Sequence, residues 1–299
     1  MNQTKALHQP VMLQEAVKFL SVKQNHWYVD ATFGRGGHTK AILNQGAKVV
    51  AFDFDAEAIK YGKQTCGKSI QTGKLILVQA NFTQVKATIT NLKKKGIVDQ
   101  VWGVLFDFGT SVDQLKSPTR GFSFEVDAPL DMRMDQELGV TAADLLKVLN
   151  EKQLADIFFN YGGERKARQI AKAIKKAPKT PETTFELTQI ISQVKPYKTG
   201  KLHPATKVFQ ALRIAVNTEL ENIKQVLPEA LELLEPEGRI VTISFHEGED
   251  RLVKTAFKAW QTKGLGQILT KKPLTPTNVE QTKNPRARSA KLRAFRKGK

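Results

Sequence analysis

Tyr28-Val-Asp30-Ala-Thr32-Phe-Gly34-Arg-Gly36-Gly37-His38 decides how this chain is read. An apolar strand runs into a glycine-rich turn, and the pattern places a helix start after it at Thr39. Asp53 follows 19 residues beyond Gly34, at the tip of a second apolar run, Lys48-Val-Val-Ala-Phe-Asp53. Doubly wound sheets hold ribose-bearing cofactors in this way. Glycines let the backbone approach the ligand, and the acid receives the ribose hydroxyls. The turn reads Gly-x-Gly-Gly-His and not Gly-x-Gly-x-x-Gly, so spacing alone leaves a dinucleotide and S-adenosylmethionine both open.

Working outward, further strand patterns fall at 75–80, 101–108 and 239–245, the last after the turn Glu235-Pro-Glu-Gly238. Helical patterns separate them at 11–20, 56–66 and 82–95. Continuous apolar runs alternating with helices predict a parallel sheet covered on both faces. That alternation stops between Ser111 and Lys207, where helices are predicted at 142–149, 151–160, 165–176 and 184–194, punctuated by Pro178, Pro181 and Pro196. The expected fold is α/β, a Rossmann-like sheet with an inserted all-helical domain between the fourth and fifth strands. The expected domains are 1–113 joined with 205–299, and the insertion 114–204. The last 37 residues carry Pro273, Pro276 and Pro285 among scattered cations, and read as extended structure lying on the surface.

Charge narrows the function. The 299 residues are 40% hydrophobic and 25% charged, with a formal net charge of +18 and a pI near 9.8. This balance favours a polyanionic partner, nucleic acid ahead of an anionic membrane. Two regions concentrate it: 164–179 holds seven Lys/Arg against Glu164 alone, and 263–299 holds 11 against Glu280 alone. Cys66 is the single cysteine, which excludes an internal disulfide and a cysteine-rich zinc site and suits a reducing compartment. The first residues lack an apolar signal core and no run of 18 apolar residues occurs, so a soluble cytoplasmic protein is expected.

Several residues carry candidate chemistry. Phe82 follows the third strand, where an adenine ring could stack or a core aromatic could sit. Asp107 ends the fourth strand, on the edge where open sheets bind ligands. His246 ends the fifth in Ser244-Phe-His246 and reads as a base, a substrate contact or a structural histidine. Arg120-Gly-Phe-Ser-Phe124 and Pro129-Leu-Asp131-Met-Arg133-Met-Asp135 alternate charge with apolar residues. His203-Pro-Ala-Thr206 precedes a helix on which Arg213 and Asn217 share a face, and there a capping network is favoured over direct catalysis. Arg286, Arg288, Lys291 and Arg293 form a basic segment suited to phosphates, with Leu292 and Phe295 able to dock it on the body.

Together these clusters resemble the bacterial small-subunit ribosomal RNA cytosine-N4 methyltransferases, from His8-Gln-Pro-Val11 to Asn284-Pro-Arg-Ala-Arg-Ser289. The most specific pieces are Gly34-Arg-Gly-Gly-His38, Arg120 to Phe124, Pro129 to Asp135, and His203 to Thr206 with Phe209-Gln-Ala-Leu-Arg213. The resemblance implies S-adenosylmethionine as cofactor, held at Gly36, Gly37, His38, Asp53, Phe82, Asp107 and Gln114. It implies methylation of the exocyclic amine of a cytosine in the decoding centre, on RNA within the small ribosomal subunit. Catalytic roles fall to Asp107 and Ser111, orienting the amine from one side, and to His246 lining the other. No metal and no membrane enter this reading, and a homodimer is left open. Three stretches depart from the family's usual wording: Asp107-Phe-Gly-Thr-Ser-Val-Asp-Gln114, Ser244-Phe-His-Glu-Gly-Glu-Asp-Arg251 and Tyr161-Gly-Gly-Glu-Arg165. Two other classes share parts of the pattern. A nicotinamide-dependent oxidoreductase shares the glycine turn but not a reason for the basic tail. A non-catalytic RNA-binding factor shares the charge.

Overall fold

Seven strands lie side by side in the order β3-β2-β1-β4-β5-β7-β6 in the computed structural model, which describes residues 10–109, 119–197 and 202–299. They are β1 (Trp27–Asp30), β2 (Lys48–Asp53), β3 (Leu75–Gln79), β4 (Val101–Asp107), β5 (Leu234–Ser244), β6 (Gly266–Ile268) and β7 (Lys291–Lys297). The first five run parallel, with Val29 beside Val50 and Val104, while β7 pairs antiparallel with β5 and β6. Order reverses between β1 and β4, and a crevice opens at the carboxyl ends of strands at such a switch point.

Alternate residues of each strand serve opposite cores. Trp27, Val29, Val50, Phe52, Val104 and Phe106 pack on one face, with helices α5 (Val85–Lys94), α11 (Glu219–Leu233) and α12 (Glu247–Thr262) contributing Ile89, Leu227 and Phe257. Tyr28, Val49, Ala51, Leu105 and Val241 face the other way, against Val17 and Leu20 of α1 (Leu13–Leu20) and Ile42 of α2 (Gly37–Asn44). Burial on both faces explains why these strands read as unbroken apolar runs. Helix α2 starts two residues earlier than expected, because Gly36 takes a left-handed φ of 71° and caps it.

The C-terminal segment corrects an expectation. It is not surface-lying extended structure. After α13 (Asn278–Lys283), β7 enters the sheet, with Leu292, Ala294 and Phe295 fully buried. The four consecutive buried positions from Leu292 to Phe295 are what a strand covered on both faces requires, and the cations flanking them masked that pattern.

Two compact units make up the chain: Met1–Gly109 with Leu220–Lys299, and Thr110–Glu219. The second unit is helical, with α6 (Ala142–Val148), α7 (Glu151–Asn160), α8 (Ala167–Lys176), α9 (Thr184–Val194) and α10 (Thr206–Val216). Residues 205–216 fall in this unit, whereas the sequence reading groups them with the sheet, because Ala205, Val208, Phe209 and Leu212 pack into the helical core. Capping boxes begin three of these helices: Thr141 with Asp144, Asn150 with Gln153, and Thr183 with Glu186. No helix among the described residues is long and apolar enough to cross a membrane.

Candidate active site

The glycine turn is built from β1 outward. Asp30 is fully buried, and both of its carboxylate oxygens are bonded within the protein. Its Oδ1 accepts from the Thr32 amide at 3.2 Å, and its Oδ2 accepts from the Thr39 hydroxyl at 2.6 Å. It therefore fixes both ends of the turn, and burial holds its carboxyl above the usual range. Gly36 needs its left-handed backbone, and a Cβ there would lie 2.7 Å from the Phe33 ring. A Cβ on Gly37 would lie 2.5 Å from Cγ of Pro10. The imidazole of His38, almost fully buried, donates from Nε2 to the Val11 carbonyl at 3.1 Å. Thus Pro10 and Val11 lie against the turn, which gives the N-terminal segment a part in shaping it.

Three strand tips converge. At β2, Asp53 accepts the Gly34 amide on Oδ2 and the Asp55 amide on Oδ1, at 2.8 and 2.9 Å. Its half-buried carboxyl is pushed up to about 6 by burial, and the two amides oppose the shift. At β4, the Asp107 amide donates to the Thr32 hydroxyl at 2.8 Å, which ties the tip to β1. Burial also pushes the Asp107 carboxyl up to about 6; His38 and the Gly109 amide oppose this, and Asp30 and Glu249 reinforce it. Oδ1 of Asp107 is buried with no hydrogen-bond partner among the described residues. Such an atom is costly unless a ligand donor completes it.

The structure sets Phe82 against the core. Its half-buried ring packs edge-on against Phe106 and Phe108, with centroids 6.2 and 6.0 Å away, and part of it stays exposed. His246 is the N-cap of α12. Its Nδ1 accepts from the Glu249 amide at 3.4 Å, and Glu249 returns a carboxylate oxygen to the Phe245 and His246 amides. Gly109 has room for no side chain, since a Cβ would meet the Phe245 ring at 2.7 Å, so the loops after β4 and β5 touch. Ser111 and Gln114 lie outside the described residues.

Sequence reasoning quoted Thr32, Glu249 and the Pro10–Val11 segment but gave them no part in the site. Glu249 stands three residues after His246, the capping-box interval, so its signal was present. Among the other motifs, Arg213 makes two 2.8 Å bonds to Glu219, and Asn217 holds the Met132 carbonyl and the Met134 amide. Asp131 and Arg133 form a paired bond of 2.7 and 2.8 Å. Arg213 and Asn217 are braces within the helical unit, as the capping reading favoured, and the Asp131–Arg133 pair is a local brace in a loop that no capping reading covered. Arg293 is likewise committed, bound through Nε and Nη2 to Asp250 at 2.7 and 3.0 Å, so its expected phosphate role is withdrawn.

A glycine turn, a half-buried acid at the tip of β2 and an acid with one unpartnered oxygen at the tip of β4 meet where the strand order reverses, the place where an open α/β sheet binds its ligand. Residues 5–298 match the model of the MraW methylase family, and the chain belongs to that family. It is a methylase. Three relatives carry the name ribosomal RNA small subunit methyltransferase H. That of Acidobacterium capsulatum is 42% identical over 97% of this chain and 98% of its own length. That of Coprothermobacter proteolyticus is 41% identical over 97% and 96%. The Gloeothece citriformis protein is 45% identical over 96% and 93%.

Proposed function

We propose that this protein transfers a methyl group from S-adenosylmethionine to the exocyclic N4 of a cytosine in small-subunit ribosomal RNA, acting in the cytoplasm on the small ribosomal subunit. The observation that carries the reading is the tip of β4. There Asp107 offers a buried, undonated oxygen beside the glycine turn. The names of the relatives support the RNA substrate, and the +18 charge supports a polyanion. The helical unit, with the expected insertion 114–204 at its centre, is the substrate-recognition part.

The residues present fit the nucleoside. Asp53 keeps lone pairs beyond those given to Gly34 and Asp55 and would accept from the ribose. Phe82 would stack beside the adenine, with Gly36, Gly37, His38 and Gln114 completing the family's contacts. When bound, the cofactor supplies a methyl group made electrophilic by its sulfonium. Cytosine N4 is a weak nucleophile, since its lone pair is delocalised into the ring. Oδ1 of Asp107 accepts one N–H of the amine and so fixes its direction. Placement of this kind contributes about 7–11 kcal/mol in well-oriented systems. With its pKa raised to about 6, Asp107 is mostly ionised at pH 7 and basic enough to take up the released proton. Ser111 and His246 complete the acceptor side, His246 from its fixed position at the start of α12.

The test is methyl transfer. Small subunits from cells lacking this protein, incubated with it and labelled S-adenosylmethionine, should gain N4-methylcytidine in the decoding-region fragment, read by mass spectrometry. Label elsewhere in the RNA would refute the cytosine assignment. RNA binding without any transfer would favour the non-catalytic factor.

A further inference from the structure

One face of α8 is committed to the helical core through Ala167, Ile170, Ala171 and Ile174. The opposite face carries Arg168, Lys172 and Lys176 at four-residue intervals, with Arg165 in the turn before it, and all four are exposed. Four-residue steps put consecutive cations on one face, about 6 Å apart along the axis. The other cations of the segment are engaged. Lys166 donates to the Val194 carbonyl, Lys175 to those of Leu146 and Lys147, and Lys179 pairs with Glu182. Arg165, Arg168, Lys172 and Lys176 have no acidic partner among the described residues.

The N-terminal end of this helix neighbours a stack of rings, since Lys166 reaches the Val194 carbonyl and Glu164 holds Lys195. The Phe124 and His203 rings lie parallel at 4.2 Å and 15°, and Tyr197 follows at 5.8 Å and 34°. Phe209 closes the buried end, edge-on to Phe124 at 5.3 Å. At the other end Tyr197 is 57% exposed. Burial and the charge of Lys195 hold the His203 imidazole below its usual pKa, so it stacks as a neutral ring. One buried carboxylate joins the row to the stack: Glu164 accepts from the Lys166 amide at 3.0 Å and from Lys195 Nζ at 2.6 Å. Lys195 also reaches the Pro204 carbonyl, next to His203.

We propose that the helical unit carries a track for single-stranded RNA, with Arg165, Arg168, Lys172 and Lys176 on successive phosphates and a base stacked on the exposed face of Tyr197. Cations in file beside an open aromatic face are how single strands are held without reading sequence. An ordinary solvated helix face explains the cations but not the exposed ring at the end of a packed stack. The inference rests on the ribosomal RNA reading for its substrate and adds the surface that engages it.

Fluorescence anisotropy across a salt series tests it, using a labelled single-stranded decoding-region oligonucleotide and the same sequence as a duplex. Changing all four cations to Gln should make the slope of log affinity against log salt shallower by about 3, at roughly 0.7 per phosphate contact. Tyr197→Ala should leave the slope alone and weaken single-strand binding about 5- to 100-fold, with Tyr197→Phe near wild type and the duplex little affected. Melting temperature and S-adenosylmethionine affinity should hold in every variant. A wild-type slope in the fourfold variant, or wild-type affinity in Tyr197→Ala, overturns the track. If wild type methylates subunits and the variants do so equally well, the track fails and the enzymatic reading stands. If wild type binds through these residues but transfers no methyl group, the enzymatic reading fails and the track stands.

Discussion

Oδ2 of Asp107 stands 3.9 Å from Nδ1 of His38. The other nitrogen of that ring, Nε2, donates to the Val11 carbonyl, which can only accept, so the ring is held with Nδ1 toward the carboxyl group. Asp107 thus has one oxygen beside an imidazole that lies beyond hydrogen-bond distance, and a second, Oδ1, without a hydrogen-bond partner among the described residues.

This arrangement predicts a pH dependence of cofactor binding. Asp107 and Asp53 both have pKa values raised to about 6, and a cationic, hydroxyl-bearing ligand prefers their ionised forms. Affinity for S-adenosylmethionine should be flat above pH 7 and fall by about tenfold per group on going down to pH 5. Calorimetric titration across pH 5–8 measures it, with Asp107→Asn and Asp53→Asn each removing one group's share. A profile unchanged in both variants would contradict the assignment.

Stability of the ligand-free protein should move the opposite way. A carboxyl whose folded pKa exceeds its unfolded value near 3.9 binds its proton more tightly when folded. Its contribution is most favourable below pH 4, is lost as pH rises toward 6, and is constant above. The stability difference between wild type and Asp53→Asn should therefore shift in favour of the variant from pH 4 to 6 and then level off. Urea denaturation at several pH values shows this directly.

How legible this was in the sequence differs from element to element. Strands β1 to β5 were visible because burial on both faces leaves unbroken apolar runs such as Val49-Val-Ala-Phe52. Strand β7 was not, because Lys291, Arg293, Arg296 and Lys297 interrupt its apolar positions, and the pairing of Arg293 with Asp250 43 residues away leaves no local trace. At the site, Asp53 and Asp107 could be placed because strand tips are positions in the chain. Which of Asp30, Asp53 and Asp107 keeps a free oxygen depends on Thr32, Thr39 and two backbone amides, and only three-dimensional neighbours decide that. Position left His246 open as a base, a substrate contact or a structural histidine; its capping of α12 depends on a backbone turn that residue type does not reveal.

Gly121 marks a separate vulnerability in the helical unit. Its φ is +66°, and a Cβ there would stand 2.2 Å from the Pro129 carbonyl oxygen, a backbone atom that cannot swing aside. Gly121→Ala should destabilise the helical unit by roughly 3 kcal/mol, combining left-handed strain with the clash. Limited proteolysis should show cleavage within 119–197 appearing early, while S-adenosylmethionine binding by the sheet unit stays near wild type. Equal protease resistance would show that the loop relaxes.

Arg293 and Asp250 separate structure from RNA binding in the basic tail. Both are buried, and their two bonds join β7 to α12. Arg293→Ala removes both hydrogen bonds to the Asp250 carboxylate, leaving Lys291 Nζ at 3.9 Å as its cation, and should cost about 3 kcal/mol, whereas Arg293→Met combined with Asp250→Leu should recover most of that loss, because the desolvation cost disappears along with the attraction. Arg286 and Arg288 sit exposed in the turn just before β7 and make no comparable bond among the described residues. Changing both to Gln should leave the melting temperature within a degree or two and make the salt dependence of RNA binding shallower by about 1.4. The Met/Leu pair should leave that slope at its wild-type value. If the paired variant loses RNA affinity in step with its slope while remaining folded, Arg293 contacts phosphate after all, and the assignment of the buried pair to scaffolding is wrong.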